Sequence, residues 1–281
     1  LAIMSSLKYH NLNTTFFDLG RFLNNFSMIA SGQWQSLFLS HVQPFGLFWA
    51  IPFYFLSTDW AATIILICQA AFLVLPVIGL YRHFGIIPAL AFSFYFPLWY
   101  NALFDFHIDH LAIPILFGFF FFERKGKLPH AIFLAVLLAL VKEPFALQTV
   151  FCGLYLSVVR KNNLSGPLLT LFGVVYFTLA TQYIQHYFNS PFISITGGWD
   201  LGNTLGGLGN SKQEIILFLI TNPYSVLLEI ATNPEKVKYV LYIFGALGFI
   251  PLLRPAILLP AIPILLISLL SNNPSHHAYN T

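Results

Sequence analysis

The sequence predicts an all-α integral membrane protein: a polytopic helical bundle of about 8–9 transmembrane helices with a long first outer loop, forming a single domain over residues 1–281. Three observations carry that prediction. Of the 281 residues, 57% are hydrophobic and 17% aromatic while only 8% are charged, far below the roughly 25% of soluble domains. Apolar runs of near-spanning length recur along the chain. Lys and Arg gather in a subset of the loops, the asymmetry that the positive-inside rule describes.

The elements follow in order. Leu1 to Leu7 is a short apolar run, read as the end of a first helix whose larger part lies ahead of Leu1, so the chain is expected to be a fragment. The first outer loop, 9–60, contains Val42 to Leu56, a mostly apolar stretch broken by Pro44 and Pro52. If it crossed, Arg82 would lie opposite Arg124, so it is read as an interfacial or re-entrant segment packed on protein. Spans are expected at Ala61 to Tyr81, Gly85 to Phe104 and Asp105 to Phe122. For the last, Leu111 to Phe122 alone reaches about 18 Å, whereas a helix counted from Asp105 reaches about 27 Å, close to the roughly 30 Å of hydrocarbon.

The apolar region His130 to Val159 is interrupted by Lys142-Glu143-Pro144. A hairpin turning there keeps Arg124, Lys125, Lys127, Arg160 and Lys161 on one side, which a single kinked helix does not. Leu168 to Phe188, Tyr239 to Leu253 and Pro255 to Leu270 complete the spans, with 189–235 an outer loop containing an interfacial helix. The inner loops then hold seven of the thirteen Lys and Arg but only Glu123 of the ten acids. The net charge of +3 is small and the basic residues sit in these loops, so there is no basic face for nucleic acid. Cys68 and Cys152 both lie inside apolar runs, which argues against a disulfide.

This arrangement brings the unusual residues to one face. Asp18, His41, the group Asp105, His107, Asp109 and His110, then Lys142 and Glu143, the Gly-rich loop 197–210 and the tail with His276 and His277 are all expected outside. Polar groups from several spans converging at one membrane face suggest a binding site. On a helix, Asp105 and Asp109 form an i, i+4 pair beside His107 and His110. Such a set can bind a divalent cation through Asp105, Asp109 and His110, or hold a proton shared between two acids. Against that stands a plain helix start whose polar groups reach headgroups and water. Lys142 suits a carrier phosphate as a point charge, or it simply neutralises Glu143 at the hairpin tip. Trp34, Trp49, Trp60, Trp99 and Trp199 read as an interfacial aromatic belt, and the Gly-rich loop as a flexible segment.

Asp18-Leu19-Gly20, His41 with Pro44, Asp105-Phe106-His107, Lys142-Glu143 and Phe249-Ile250-Pro251-Leu252-Leu253-Arg254-Pro255 occur here in an order and spacing that resembles the DUF2079 family of prokaryotic membrane proteins over nearly the whole chain. That family looks like a distant relative of the GT-C glycosyltransferases, which take a sugar from a polyprenyl-phosphate carrier at the outer face of the cell membrane. The resemblance implies a GT-C-like fold and a lipid-linked sugar donor, with Asp18, at the position of their first-loop acid, as catalytic base. It also implies substrate contacts from His41, Asp105, His107, Asp109, His110, Lys142 and Glu143. Two departures remove polar candidates: Leu23 and Asn24 stand where the family pattern has a further acid and a glutamine, and Pro144 where an acid often follows Lys-Glu. Both weaken the expectation of a second catalytic carboxylate or a tight metal site. A multi-pass transporter or proton-coupled permease is the alternative, or a non-catalytic membrane protein. A transporter should place polar groups near mid-membrane within repeated halves, and neither is evident in this chain.

Overall fold

A computed structural model describes residues 1–14, 16–39, 41–188, 205, 208–209 and 212–271, and every regular element among them is helical. Among the described residues, two helices are long and apolar enough to cross a membrane. One is α4 (Thr58–Phe84); α1 (Ala2–His10), α2 (Arg21–Ala30) and α3 (Gly46–Ala50) precede it. Asp59 in its first turn and Arg82 and His83 in its last complement the helix dipole, and Gly85, at φ +89°, stops it. The other is Ser165–Phe188, which is α10 (Ser165–Thr178) continued through the wider turns of Leu179–Ile184. Leu128–Val141, Glu143–Val159 and Pro255–Leu270 are apolar but shorter. α1 packs on α4, where the Tyr9 hydroxyl donates to Asp59 Oδ1 at 2.8 Å, while the Ser5 hydroxyl donates to the Ala102 carbonyl at 3.3 Å.

Several expected spans are differently built. The run 85–104 is two helices, α5 (Ile86–Ser93) and α6 (Phe96–Phe104), because Pro97 has no N–H with which to continue a helix and is accommodated in the first turn of a new one. The helix expected from Asp105 begins only at Ala112. The chain is extended at Asp105 and His107, makes a single 3-10 turn at Ile108–Leu111, and only then enters α7 (Ala112–Arg124). The cause is tertiary. From the middle of α4, the Gln69 amide donates to the Asp105 carbonyl at 3.2 Å and accepts from the His107 N–H at 2.9 Å. Between those two bonds the fully buried Phe106 meets Phe22, Phe26 and Trp49 edge-on, at 5.3, 5.7 and 4.9 Å between ring centres. Trp49, expected in the interfacial belt, is thus a core residue; Trp34 and Trp60 are exposed.

The hairpin forms. Lys142 is extended between α8 (Leu128–Val141) and α9 (Glu143–Leu154), and the Thr149 hydroxyl donates to the Ala135 carbonyl at 2.7 Å. Those two residues are equally distant from Lys142 in the sequence, so the helices run antiparallel. The Val42–Leu56 stretch is short and irregular, α3 followed by a 3-10 turn at Ile51–Tyr54. It is anchored on the hairpin by the Phe45 N–H, which donates to the Leu140 carbonyl at 3.3 Å.

Further along, the span expected at 239–253 starts earlier, at a helix Pro234–Gly245 capped by the Asn233 side chain. It then breaks where Gly248 and Phe249 take positive φ. Residues 255–270 begin as a 3-10 run, Pro255–Ala261, since three prolines in nine residues withhold N–H donors, and become α-helical at Ile262–Leu270. Within 189–235, helices Lys212–Thr221 and Pro223–Thr232 are present. Most of the Gly-rich loop, Trp199, His276 and His277 lie outside the described residues.

Candidate functional site

The site is assembled at the tip of the α8–α9 hairpin. Glu143, first residue of α9, is fully buried, and a buried carboxylate is stable only when its charge is answered. Both of its oxygens are engaged by the first loop: Oε1 lies 2.6 Å from His41 Nδ1, and Oε2 accepts the Val42 N–H at 2.9 Å. The short contact to the imidazole has the length of a charge-assisted bond. Lys142, one residue earlier, does not pair with Glu143. Its ammonium donates to Asp109 Oδ2 at 3.3 Å, in the 3-10 turn ahead of α7. The Lys-Glu dipeptide therefore ties down two segments, 102 and 33 residues away in sequence.

The remaining sequence-predicted residues divide. Asp18, in a wide turn at Phe16–Gly20 leading into α2, has Oδ2 3.9 Å from His107 Nε2, and a third of its side chain is exposed. His41 and His107 both lie close enough to act electrostatically on the Asp109 carboxylate, alongside Lys142. Asp18, His41, His107, Asp109, Lys142 and Glu143 thus form one neighbourhood, drawn from four separate stretches of chain. His110 is buried beneath it, its Nδ1 2.9 Å from the His107 carbonyl. Asp105 faces elsewhere: its Oδ1 is 3.7 Å from the ammonium of Lys8 on α1, which also donates to the Leu103 carbonyl at 3.0 Å.

The i, i+4 pairing expected of Asp105 and Asp109 does not occur, because an extended segment cannot place them on one helix face. Each is paired with a different lysine. Among the described residues, no three His, Cys, Asp or Glu side chains converge as a ligand set for a metal.

Two residues that position the site carry signals that sequence reasoning passed over. Gln69 is the one amide between Ala61 and Tyr81, and a lone amide in an apolar span needs partners. Lys8 is a lone cation at the end of a short apolar run, with Asp105 as its counter-charge. Cys68 and Cys152 are both free thiols.

Chemically, the arrangement offers an accessible carboxylate beside an imidazole, next to a lysine held by a second carboxylate. It has the parts for taking a proton and for meeting an anion. Residues 8–280 match the family model described as a predicted membrane protein, DUF2079. No curated protein and no solved structure matches the chain.

Proposed function

The chain belongs to the DUF2079 family of membrane proteins, and from that premise we propose that it is a multi-pass glycosyltransferase of GT-C type, using a polyprenyl-phosphate-linked sugar at the outer membrane face. The observation that carries the reading is the placement of Asp18. The first-loop acid is one-third exposed, stands beside His107 and shares a neighbourhood with Lys142. In the reaction, the Asp18 carboxylate takes the proton of an acceptor hydroxyl as its oxygen bonds to the anomeric carbon. The bond from that carbon to the carrier phosphate breaks, and the phosphate oxygen leaves with the electron pair beside the cation of Lys142. The acids Asp105 and Asp109 are each engaged by a lysine.

The test is transfer from a radiolabelled polyprenyl-phosphate sugar in membranes. Asp18→Asn keeps the shape of the side chain and loses its basicity, so transfer should fall by about 10²–10⁴-fold, or about 3–5 kcal/mol of barrier, with expression and folding intact. Unchanged transfer would remove Asp18 from the chemistry. The outer-face assignment rests on the positive-inside count. In a cysteine-free background of intact cells, an impermeant thiol reagent should label Gln35→Cys and spare Lys125→Cys; the reverse pattern overturns the orientation.

A second reading, a proton-coupled permease, draws on the imidazole–carboxylate contacts His107 with Asp18 and His41 with Glu143, which are the units of a proton relay. It requires proton-coupled flux in proteoliposomes, which a transferase does not produce.

A further inference from the structure

Asp109 is less firmly held than Glu143 or Asp105. Glu143 is engaged through both oxygens by the first loop, and Asp105 is fully buried opposite Lys8. Asp109 keeps 38% of its side chain exposed and has one contact from a cation, the 3.3 Å bond from Lys142 to Oδ2. Its other oxygen, Oδ1, is buried and accepts no hydrogen bond among the described residues. Lys142 touches this carboxylate and two imidazoles, His41 and His107, act on it electrostatically, each of the three with about a fifth of its side chain exposed. Of the two imidazoles, His41 has a buried anion behind it, since Glu143 is on its Nδ1. A lysine bonded to a loosely held carboxylate, with two partly exposed imidazoles within electrostatic reach, supplies the parts of an anion site whose own carboxylate fills it.

We propose that Lys142, His41 and His107 form a phosphoryl-binding site, and that the Asp109 carboxylate is its resident counter-ion, exchanged for the phosphate of a prenyl-phosphate lipid. The exchange is one anion for another. Asp109 swings off Lys142 into the solvent that its side chain already reaches, and the phosphate oxygens take its place on the ammonium, within electrostatic reach of the two imidazoles. A resident carboxylate suits a transferase for a charge reason. The spent carrier is a phosphomonoester of about −1.5 to −2 charge at neutral pH, whereas the donor is a diester of about −1. Cations alone would hold the product more tightly than the substrate; a competing carboxylate offsets that preference and lets the carrier leave. The lipid half of this proposal rests on the transferase reading, and the anion half does not.

The experiment is equilibrium binding of farnesyl phosphate and, separately, of inorganic phosphate to the full chain in lipid nanodiscs. Asp109→Asn should tighten farnesyl phosphate binding on the order of tenfold, because the competitor is gone and the cations remain. Lys142→Ala should weaken it by a similar factor, and Glu123→Gln, at the opposite end of α7, should leave it unchanged. Farnesyl phosphate far exceeding inorganic phosphate identifies a lipid as the source. Equal tightening for both supports the anion site with free phosphate as its ligand and overturns the lipid half.

Folded Asp109→Asn that binds as the parent or more weakly overturns the proposal, as does a parent chain that binds neither phosphate. If Asp109→Asn does not fold, Asp109→Glu takes its place. The longer side chain grips Lys142 more closely, so binding should weaken, and an unchanged affinity counts against the exchange. The two readings fail separately. Tightened phosphate binding without sugar transfer keeps the anion site and removes the transferase; transfer with binding indifferent to Asp109 and Lys142 does the opposite.

Discussion

Helices α7 and α9 carry charge near both of their ends, and the two ends are built to different rules. At one, Glu123 closes α7 and meets Arg160 through Oε1, while the Tyr155 hydroxyl donates to Oε2 at 3.4 Å. Acid, cation and hydroxyl come from two neighbouring stretches, and the acid is answered on both oxygens. At the other, Asp109 precedes α7 and Lys142-Glu143 opens α9, and their partners come from the first loop and from the extended segment that α4 holds down. Holding two helices together needs only the first kind of arrangement. The second gathers groups from distant stretches, leaves several partly open to solvent, and includes an acid with one oxygen unanswered; such ordering is costly in chain entropy and is expected where a site must be assembled.

Substitutions at the two ends should separate accordingly. The largest effect is expected for Glu143→Gln, which leaves His41 facing a neutral amide in a fully buried place. Breaking a buried pair commonly costs about 3–5 kcal/mol, so thermal unfolding in detergent should show a large loss, and near-parental stability would mean that the latch carries no weight. Next comes Gln69→Leu, which strips both main-chain bonds from the segment that presents Phe106 and His107. With each of the two unsatisfied groups costing at least about 1 kcal/mol, a loss of at least roughly 2 kcal/mol is expected, and farnesyl phosphate binding should weaken with it as His107 shifts. Stability lost with binding intact would detach the extended segment from the site. The smallest effect belongs to Glu123→Gln, because Arg160 is nearly half exposed and such pairs contribute little. A loss of about 1 kcal/mol or less is expected, with transfer unaffected; a defect in transfer at parental stability would make the two ends functionally one.

Some of this was legible in the residues. The hairpin at Lys142 follows from the loop charges, because a turn there is the arrangement that keeps Arg124 to Lys127 and Arg160 and Lys161 together. The gathering of Asp18, His41, His107, Asp109, Lys142 and Glu143 follows from the same count. The conformation of 105–111 does not, since helical periodicity is a local signal and the Gln69 bonds and the rings around Phe106 are tertiary ones that override it. Length misled in the same way at 85–104 and 239–253, where Pro97 and the pair Gly248 and Phe249 interrupt otherwise sufficient apolar runs. Which acid meets which base was not readable: Lys142 beside Glu143 suggests a local pair, whereas each reaches a partner in a different segment.

One seam bears on how the hairpin tip behaves mechanically. α9, with its continuation Tyr155–Val159, and α10 meet backbone to backbone through Gly153, Gly166 and Gly173. A Cβ at these positions would lie 2.5, 2.7 and 2.8 Å from the backbone nitrogens of Thr170, Ser157 and Val150, closer than such atoms approach. Helices in that contact cannot slide past one another without first separating. The pair therefore forms one closely interlocked unit, and its Glu143 end is the point at which that unit is fastened to His41 and the first loop.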